Sequence, residues 1–166
     1  MHMKIDWKDI IERWQEPLYW HIRRMVVSHD DAKDLLQEVF VQAFQSIGQL
    51  RDPKAMKAWL YRIATNKCLR FLEKAQEGLP LDEVPAAMMD RLTEGEYINL
   101  KDIAGVRFQK ALMTLSPQQK AVFTMRYYDD LSYTEISAIT GSSPAVLKVS
   151  YAQAKKKMKA YLLAHE

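Results

Sequence analysis

The sequence is poor in the residues that build disulfide, metal and phosphate-binding sites. It contains one cysteine, Cys68, and only five glycines in 166 residues. A lone cysteine excludes a disulfide framework within the chain and the spacing of a zinc site, and Cys68 is expected to be a small buried hydrophobe. No glycine-rich phosphate loop or nucleophile motif occurs, and the four histidines are scattered. These absences argue against an enzyme, and no cofactor or metal ion is expected.

Long apolar runs and strand patterns are also missing. No stretch of about 18 apolar residues occurs, as a transmembrane helix would need, and acidic residues interrupt the first dozen positions, where a signal peptide would have its apolar core. We therefore expect a cytoplasmic protein without direct membrane insertion. Residues 1–75 show helical periodicity and no runs of β-branched residues. The predicted fold class is all-α, with two small helical domains joined by a linker.

Charge is distributed unevenly along the chain. Residues 1–75 carry 13 Lys and Arg against 10 Asp and Glu, residues 76–105 carry two against seven, and residues 106–166 carry nine against four. Helical periodicity weakens in the middle segment, so we predict domains at 1–75 and 106–166 and a flexible acidic linker at 76–105. Two basic modules joined by a segment that phosphates repel suit nucleic-acid binding, and a solvated surface is equally compatible with the charge alone.

The C-terminal part of the sequence is typical of a helix-turn-helix. Ser132 and Glu135 form a capping-box pattern at the start of the first helix, and Gly141 favours the left-handed turn that ends it. Ser143 before Pro144 provides a cap and a proline at the first position of the second helix. The apolar positions of that helix recur at spacings of four, three and four, at Leu147, Tyr151, Ala154 and Met158.

The outward face of this second helix is small near its start and basic further on. Its members are Ala145, Lys148, Val149, Ala152 and Lys155. A helix that enters a major groove needs small side chains near the base edges and cations beside the phosphates. We expect Lys148 to contact bases, and we expect phosphate contacts from the later lysines, Lys155, Lys156, Lys157 and Lys159.

The N-terminal part contains the most clearly amphipathic helix. Its apolar face comprises Ala32, Leu35, Leu36, Val39, Phe40, Ala43, Phe44 and Ile47. The other face carries Asp34, Gln37, Glu38 and Val41, where a merely solvated helix would more often carry lysines. This acidic strip could bind a basic partner. Upstream, Pro17 is expected to mark a break or a kink in the helical pattern of residues 7–27, which fits two packed helices.

A third predicted helix combines cations, an amide and aromatic rings on one surface. Its core side comprises Met56, Trp59, Leu60, Ile63, Ala64 and Phe71. Arg62, Asn66 and Arg70 line up on the opposite side at a spacing of four, with Tyr61 and Lys67 nearby. Such a mixture binds single-stranded nucleic acid, because bases stack on rings and the backbone follows the cations. A helix with simply solvated arginines fits the composition equally well.

Several of these runs resemble those of the extracytoplasmic-function (ECF) sigma factors, the smallest type of sigma-70-family initiation subunit. Residues 34–40 (DLLQEVF) resemble the family's motif for the clamp helices of the polymerase β′ subunit. Residues 58–66 (AWLYRIATN) resemble its promoter-melting helix, and the loop at 49–56 matches its pocket for a flipped minus-ten base. Residues 115–117 (LSP), residues 131–136 (LSYTEI) and Gly141 resemble its second domain, which reads the minus-thirty-five element.

The resemblance implies an RNA polymerase sigma factor, without enzymatic activity, that directs promoter-specific transcription initiation. It implies a region 2-like domain at 1–75 and a region 4-like domain at 106–166. The partners would be core polymerase, through its β′ clamp helices and β flap, promoter DNA in double- and single-stranded form, and an anti-sigma factor. No small-molecule substrate is implied.

The same resemblance assigns residues to each partner. The residues that bind polymerase would be Asp34, Gln37, Glu38 and Val41. Those that bind the minus-ten element would be Arg51, Lys54, Tyr61, Arg62, Asn66, Lys67 and Arg70. Those that bind the minus-thirty-five element would be Ser143, Ala145, Lys148, Val149, Ser150, Ala152, Gln153, Lys155, Lys156 and Lys157. Ser150 and Gln153 stand where family members often carry arginine, so the promoter sequence cannot be transferred from relatives.

Proteins of other classes would explain less of the sequence. Another helix-turn-helix regulator, such as a response regulator, would share the C-terminal module but needs a receiver domain of alternating strands and helices. The sequence contains none of the catalytic motifs that an enzyme would be expected to show. A structural helical adaptor would account for the amphipathic helices but not for the two motif runs.

Overall fold

The structure, a computed structural model, describes residues 4–75, 77 and 103–165, and within these ranges every regular element is a helix, as predicted. The N-terminal helices are α1 (Trp7–Val26), α2 (His29–Ser46) and α3 (Met56–Ala75). Two 3-10 turns, Ile47–Gln49 and Pro53–Ala55, join α2 to α3. The predicted acidic linker falls almost wholly outside the described residues. In the described ranges no helix is long and apolar enough to cross a membrane.

Within residues 103–165 the C-terminal group contains four helices, and the two of the helix-turn-helix begin at the caps that the sequence predicts. The four are α4 (Ile103–Met113), α5 (Pro117–Tyr127), α6 (Tyr133–Thr140) and α7 (Pro144–Ala164). Ser132 and Glu135 form a reciprocal capping box at the start of α6, and Gly141, at φ +81°, ends that helix. The amide of Ser132 donates to the Glu135 carboxylate and lowers the pKa of that group. The Ser143 hydroxyl accepts from the amide of Val146 and starts α7.

Helix α1 is continuous, and the prediction that Pro17 divides it into two helices is wrong. Pro17 lies on the exposed side of α1, whereas Ile10, Leu18 and Ile22 are buried along the other side. An internal proline costs roughly 3 kcal/mol because it removes a helical hydrogen bond. Apolar burial on both sides of Pro17 offsets that cost, since a fully buried Leu or Ile contributes about 1.5–3 kcal/mol.

The exposed side of α2 is more apolar than the sequence predicts. Phe44 was expected in the core, but 61% of it is exposed. Phe44 follows Val41 by three residues and therefore lies on the same face as the acidic strip. Its ring contacts Trp7 of α1, with the two ring centroids 5.4 Å apart.

The two groups of helices share one hydrophobic core. Helix α1 packs on α5, and α3 packs on both α5 and α6. Cys68 of α3 is fully buried in this core, as predicted, together with Met125 of α5 and Ile136 of α6. Burial raises the pKa of the Cys68 thiol to about 12. A smaller cluster, which includes Leu112 and Phe123, lies within the C-terminal group. The N-terminal and C-terminal groups are therefore packed as one body.

Candidate nucleic-acid and protein interfaces

Helix α7 presents an exposed, basic outward face. Leu147, Ala154 and Met158 are buried and attach α7 to the rest of the C-terminal group. The exposed residues of the predicted minus-thirty-five set are Ser143, Ala145, Lys148, Val149, Ala152, Gln153, Lys155, Lys156 and Lys157. The Lys148 ammonium lies 5.8 Å from the centre of the Tyr133 ring at the start of α6. The outward face thus has the composition that the sequence predicts.

Ser150 is the one predicted minus-thirty-five residue in the described part of α7 that is not fully on the outward face. It is half-buried and lines a cleft between α7 and α3. Arg62 and Asn66 of α3 line the opposite wall of that cleft, and Ser142, which precedes α7, also lines it. We refer to this space as the interdomain cleft. Arg62 and Asn66, two of the predicted promoter-melting residues of α3, therefore face the helix-turn-helix.

The predicted minus-ten residues on α3 do not all share one surface. Arg62, Asn66 and Arg70 are exposed along one side, as expected. Tyr61 is only 3% exposed, so its predicted place on that surface is wrong. Its ring packs against His21, with centroids 5.1 Å apart, and burial, with a further contribution from Asp129, raises the pKa of its hydroxyl. His21 belongs to α1, so this contact lies between two helices and periodicity within α3 alone could not show it.

Lys67 lies on a different side of α3 from Arg62. It is half-buried and lines a shallow groove together with Gln37, Glu38 and Val41 of α2. Among the predicted minus-ten residues, Lys67 thus lies beside the predicted polymerase face.

The loop before α3 forms a second concave surface. Arg51 and Lys54 are exposed there, as predicted. A cleft between this loop and α1 is lined by Arg13, Trp14, Pro53, Lys54 and Met56, among others. Its aromatic ring and cations suit a base and its phosphate. Sequence reasoning missed Arg13 and Trp14, because the α1 pattern gives no sign that its first turns face this loop.

The acidic strip on α2 is fully available to a partner. Asp34, Gln37 and Glu38 are exposed, and Val41 is 54% exposed. Within residues 4–75 and 103–165, neither carboxylate takes part in an ion pair with a described side chain. With Phe44, the strip combines unpaired acids with exposed apolar side chains.

An apolar groove on the C-terminal group was not predicted. It lies between α4, α5 and α7 and is lined by Phe108, Phe123, Tyr127, Lys155, Met158, Lys159, Leu162 and Leu163. The rings of Phe123 and Tyr127 stack with centroids 5.2 Å apart. The lysines supply cations beside a mostly apolar lining. Such a groove suits the apolar face of a helix.

Comparison with known proteins identifies the family. Residues 10–77 match the family model described as Sigma-70 region 2, and residues 105–158 match that of Sigma-70, region 4. The RNA polymerase sigma factor SigV of Bacillus subtilis (strain 168) is 29% identical over 137 residues, which cover 82% of this chain and 79% of SigV. The ECF RNA polymerase sigma factor SigE of Mycolicibacterium smegmatis is 29% identical over 165 residues, which cover 96% of this chain and 62% of SigE.

Two solved structures share the fold. The sigma factor RpoE of Bartonella quintana, in complex with the anti-sigma factor NepR, has a TM-score of 0.68 at 19% identity, over 96% of this chain and 99% of that one. CnrH, in complex with the cytosolic domain of CnrY, has a TM-score of 0.71 at 22% identity, over 96% and 89%. The region matches and relatives place the chain among the sigma factors of the sigma-70 family. Within that family it belongs to the ECF sigma factors, as the resemblance predicted.

Proposed function

We propose that this sigma factor binds core RNA polymerase in the cytoplasm and directs promoter-specific initiation with no catalytic activity of its own. The observation that carries the proposal is the pairing of two chemically opposite exposed faces in one chain. The α2 face is acidic and apolar, and the outward face of α7 is basic. A regulator that only binds DNA has use for the second face and no evident use for the first.

The α2 face is proposed to bind the β′ clamp helices. Asp34 and Glu38 supply carboxylates, Gln37 supplies an amide, and Val41 supplies an apolar contact. We add Phe44, because it continues this face by one turn and is largely exposed. Exposed apolar area gains about 25 cal/mol per Å² when a partner covers it, so Phe44 should contribute more than its acidic neighbours to affinity.

The α3 side is proposed to bind the minus-ten element as a single strand. Arg62, Asn66 and Arg70 are the exposed groups along the helix, and Arg51 and Lys54 extend the surface into the preceding loop. The cleft beside that loop, with Trp14 and Arg13, is the place proposed for an extruded base. Tyr61 is left out of this surface because it is buried.

The α7 face is proposed to enter the major groove of the minus-thirty-five element. Ala145 and Val149 are small enough to allow a close approach, and Lys148 lies between them on the exposed side. Lys156 and Lys157 lie more than two turns further along than Lys148, where a straight helix leaves the groove, so they are assigned to phosphates.

The apolar groove is proposed as the contact for the β flap. Its rings and aliphatic side chains fit an amphipathic helix, and its two lysines would favour acidic residues along that helix.

RpoE of Bartonella quintana was solved with an anti-sigma factor. We propose that a partner of this kind also holds the present chain inactive.

Transcription from total genomic DNA tests the proposal. Core polymerase alone is compared with core polymerase plus the full chain, and the starts of the new transcripts are sequenced. We expect transcripts with a common upstream motif only when the chain is added. If the chain binds duplex DNA but neither binds core polymerase nor changes the start sites, it is a helix-turn-helix regulator of another kind.

A further inference from the structure

A buried polar cluster joins the two groups of helices where α1, α3 and the end of α5 meet. His21 Nδ1 lies 2.6 Å from Asp129 Oδ2, and His21 Nε2 lies 3.0 Å from Thr65 Oγ1. Arg24 Nη1 lies 3.8 Å from Asp129 Oδ1, and its guanidinium stacks 4.1 Å from the centre of the Tyr128 ring. The Asp129 side chain is 3% exposed, and His21 is fully buried. Asp129 comes from the C-terminal group, whereas His21 and Arg24 come from α1.

A second contact reinforces this cluster. The side-chain amide of Gln109 in α4 donates to the carbonyl oxygen of Arg24 over 3.0 Å. The end of α1 is thus bound by groups from both α4 and the segment after α5. These contacts fix the orientation of the two groups, because a hydrogen bond is directional and apolar packing is not.

Separation of the two groups would return these polar groups to water. A buried ion pair gains little net free energy, because the desolvation of both partners nearly cancels their attraction. Removing one partner from the closed state is costly, however, because the other stays buried and unpaired. Such a cluster makes closure specific in orientation while leaving it reversible.

The closed arrangement places the helix-turn-helix beside part of the nucleic-acid surface of α3. Arg62 and Asn66 face the interdomain cleft, whose other wall includes Ser142, Val146 and Ser150. At the rim of the interface, the Lys57 ammonium lies 3.6 Å from the Glu135 carboxylate. A strand bound along α3 would have to occupy space that the helix-turn-helix now borders.

The closed arrangement also conflicts with binding both promoter elements. The minus-ten and minus-thirty-five elements lie about 25 base pairs apart, roughly 85 Å along B-form DNA at 34 Å per ten base pairs. Here the start of α7 and the middle of α3 border one cleft. A single closed chain therefore cannot place α3 on one element and α7 on the other.

We propose that Asp129, with His21 and Arg24, forms an autoinhibitory latch. The latch holds the free chain closed, so that the helix-turn-helix borders Arg62 and Asn66 of α3 and the two DNA surfaces cannot reach separated elements. Binding to core polymerase opens the latch and separates the groups. The proposal rests on the proposed function for the identity of the two DNA surfaces, but the latch itself is defined by contacts within the chain.

The first test compares two adjacent aspartates in the full chain. Asp129→Asn removes the buried charge, and Asp129→Ala removes the acceptor as well. Asp130→Asn is the matched control, because Asp130 is exposed and its φ of +53° is tolerated by asparagine. Dyes on cysteines introduced at Glu12 and Ala160, both exposed, report the distance between the groups; Cys68 is buried and should not react.

We expect both Asp129 variants to lengthen the distance between the dyes and to bind a 20-nucleotide oligo(dT) at least fivefold more tightly than the unmodified chain. The Asp130 variant should change neither quantity. Circular dichroism establishes that each variant is folded. An unchanged dye distance in folded Asp129→Ala would overturn the latch.

The second test locks the closed state and does not depend on how well the Asp129 variants fold. Lys57→Cys and Glu135→Cys are combined and joined with a short bis-maleimide, and each single variant treated with the same reagent is the control. The locked chain should lose at least 90% of transcription with core polymerase, while the singles retain activity. Equal activity of locked and single-site chains would refute the latch. Inactivity of the untreated chain would instead refute the proposed function.

Discussion

Replacing Lys120 by methionine should stabilise this sigma factor near neutral pH. Lys120 lies in α5, is 3% exposed and belongs to the interface with α3. In the described part of the chain, the only hydrogen-bond partner of its ammonium is Met113 Sδ at 3.6 Å, a weak acceptor. Burial lowers the pKa of Lys120 to about 7 from its ordinary 10.5, and the nearby Cys68 thiol opposes this only in part.

The magnitude follows from that difference in pKa. A gap from about 7 to 10.5 corresponds to about 5 kcal/mol of unfavourable free energy while the lysine must carry its proton. Between these values the unfolded chain binds more protons than the folded chain, so the free energy of unfolding rises with pH. The slope is at most about 1.4 kcal/mol per pH unit. Below pH 7 the full cost is present.

Cys68 limits the window in which this rise is visible. Its pKa is about 12 in the folded chain, against an ordinary 9.0. Above pH 9 the unfolded chain releases the thiol proton first, which lowers the free energy of unfolding and opposes the lysine. The clean signal is therefore a rise of about 2 to 3 kcal/mol between pH 7 and pH 9.

Lys120→Met keeps the length of the side chain and removes the charge. We expect a gain of about 1 to 4 kcal/mol at pH 7, the range seen when buried ion pairs are replaced by well-packed apolar side chains of similar volume. The pH dependence between 7 and 9 should flatten. Lys74→Met, at an exposed position of α3, is the control and should change stability by less than about 0.5 kcal/mol.

Urea denaturation at four pH values from 6 to 9 measures both effects. If the free energy of unfolding of Lys120→Met rises with pH as steeply as that of the unmodified chain, Lys120 is not the titrating group. A loss of more than about 1 kcal/mol at pH 7 would show that the buried ammonium contributes a favourable contact.

Three further predictions concern the polymerase-binding face of α2, the outward face of α7 and the predicted linker. Glu38→Lys should weaken binding to core polymerase at least tenfold. Its melting temperature should equal that of the control Glu16→Lys, at an exposed position of α1. A large loss of melting temperature would mean that the α2 face is buried. Lys148→Ala should lower the free energy of binding to the minus-thirty-five element by about 1 to 3 kcal/mol and relax the sequence preference at one or two base pairs. Lys156→Ala should weaken binding to all DNA sequences alike and lower the salt dependence of binding by about one. An unchanged preference profile in the Lys148 variant would refute its assignment to bases. Limited proteolysis should cut first within 76–105, and equal resistance along the chain would refute a flexible linker.

Local signals were sufficient for three helix boundaries of the helix-turn-helix. The caps at Ser132 and Ser143 and the turn at Gly141 are each set by residues within three or four positions, so the sequence contains the whole interaction. The same holds for the outward face of α7, because a 3.6-residue period divides one helix into two sides without reference to its neighbours.

Contacts between the two groups could not be predicted in this way. Periodicity shows that a face is apolar, but not which element covers it. Tyr61 is adjacent to exposed Arg62, yet it is buried and its ring packs against His21 of α1. His21 and Asp129 are 108 residues apart in the sequence, and neither has a local pattern that indicates the other. The latch and the interdomain cleft are visible only in three dimensions.

The composition of the interface explains how a shared core can still open. An entirely apolar interface of this kind would hold the two groups closed with a free energy that grows with its area. Lys120, buried near Cys68 of α3, works against closure near neutral pH, because burial disfavours its charged form and lowers its pKa. Asp129 and its partners add directional contacts whose net gain is small. The buried polar groups therefore lower the free energy that a polymerase must supply to separate α3 from the helix-turn-helix, while they keep the closed orientation unique.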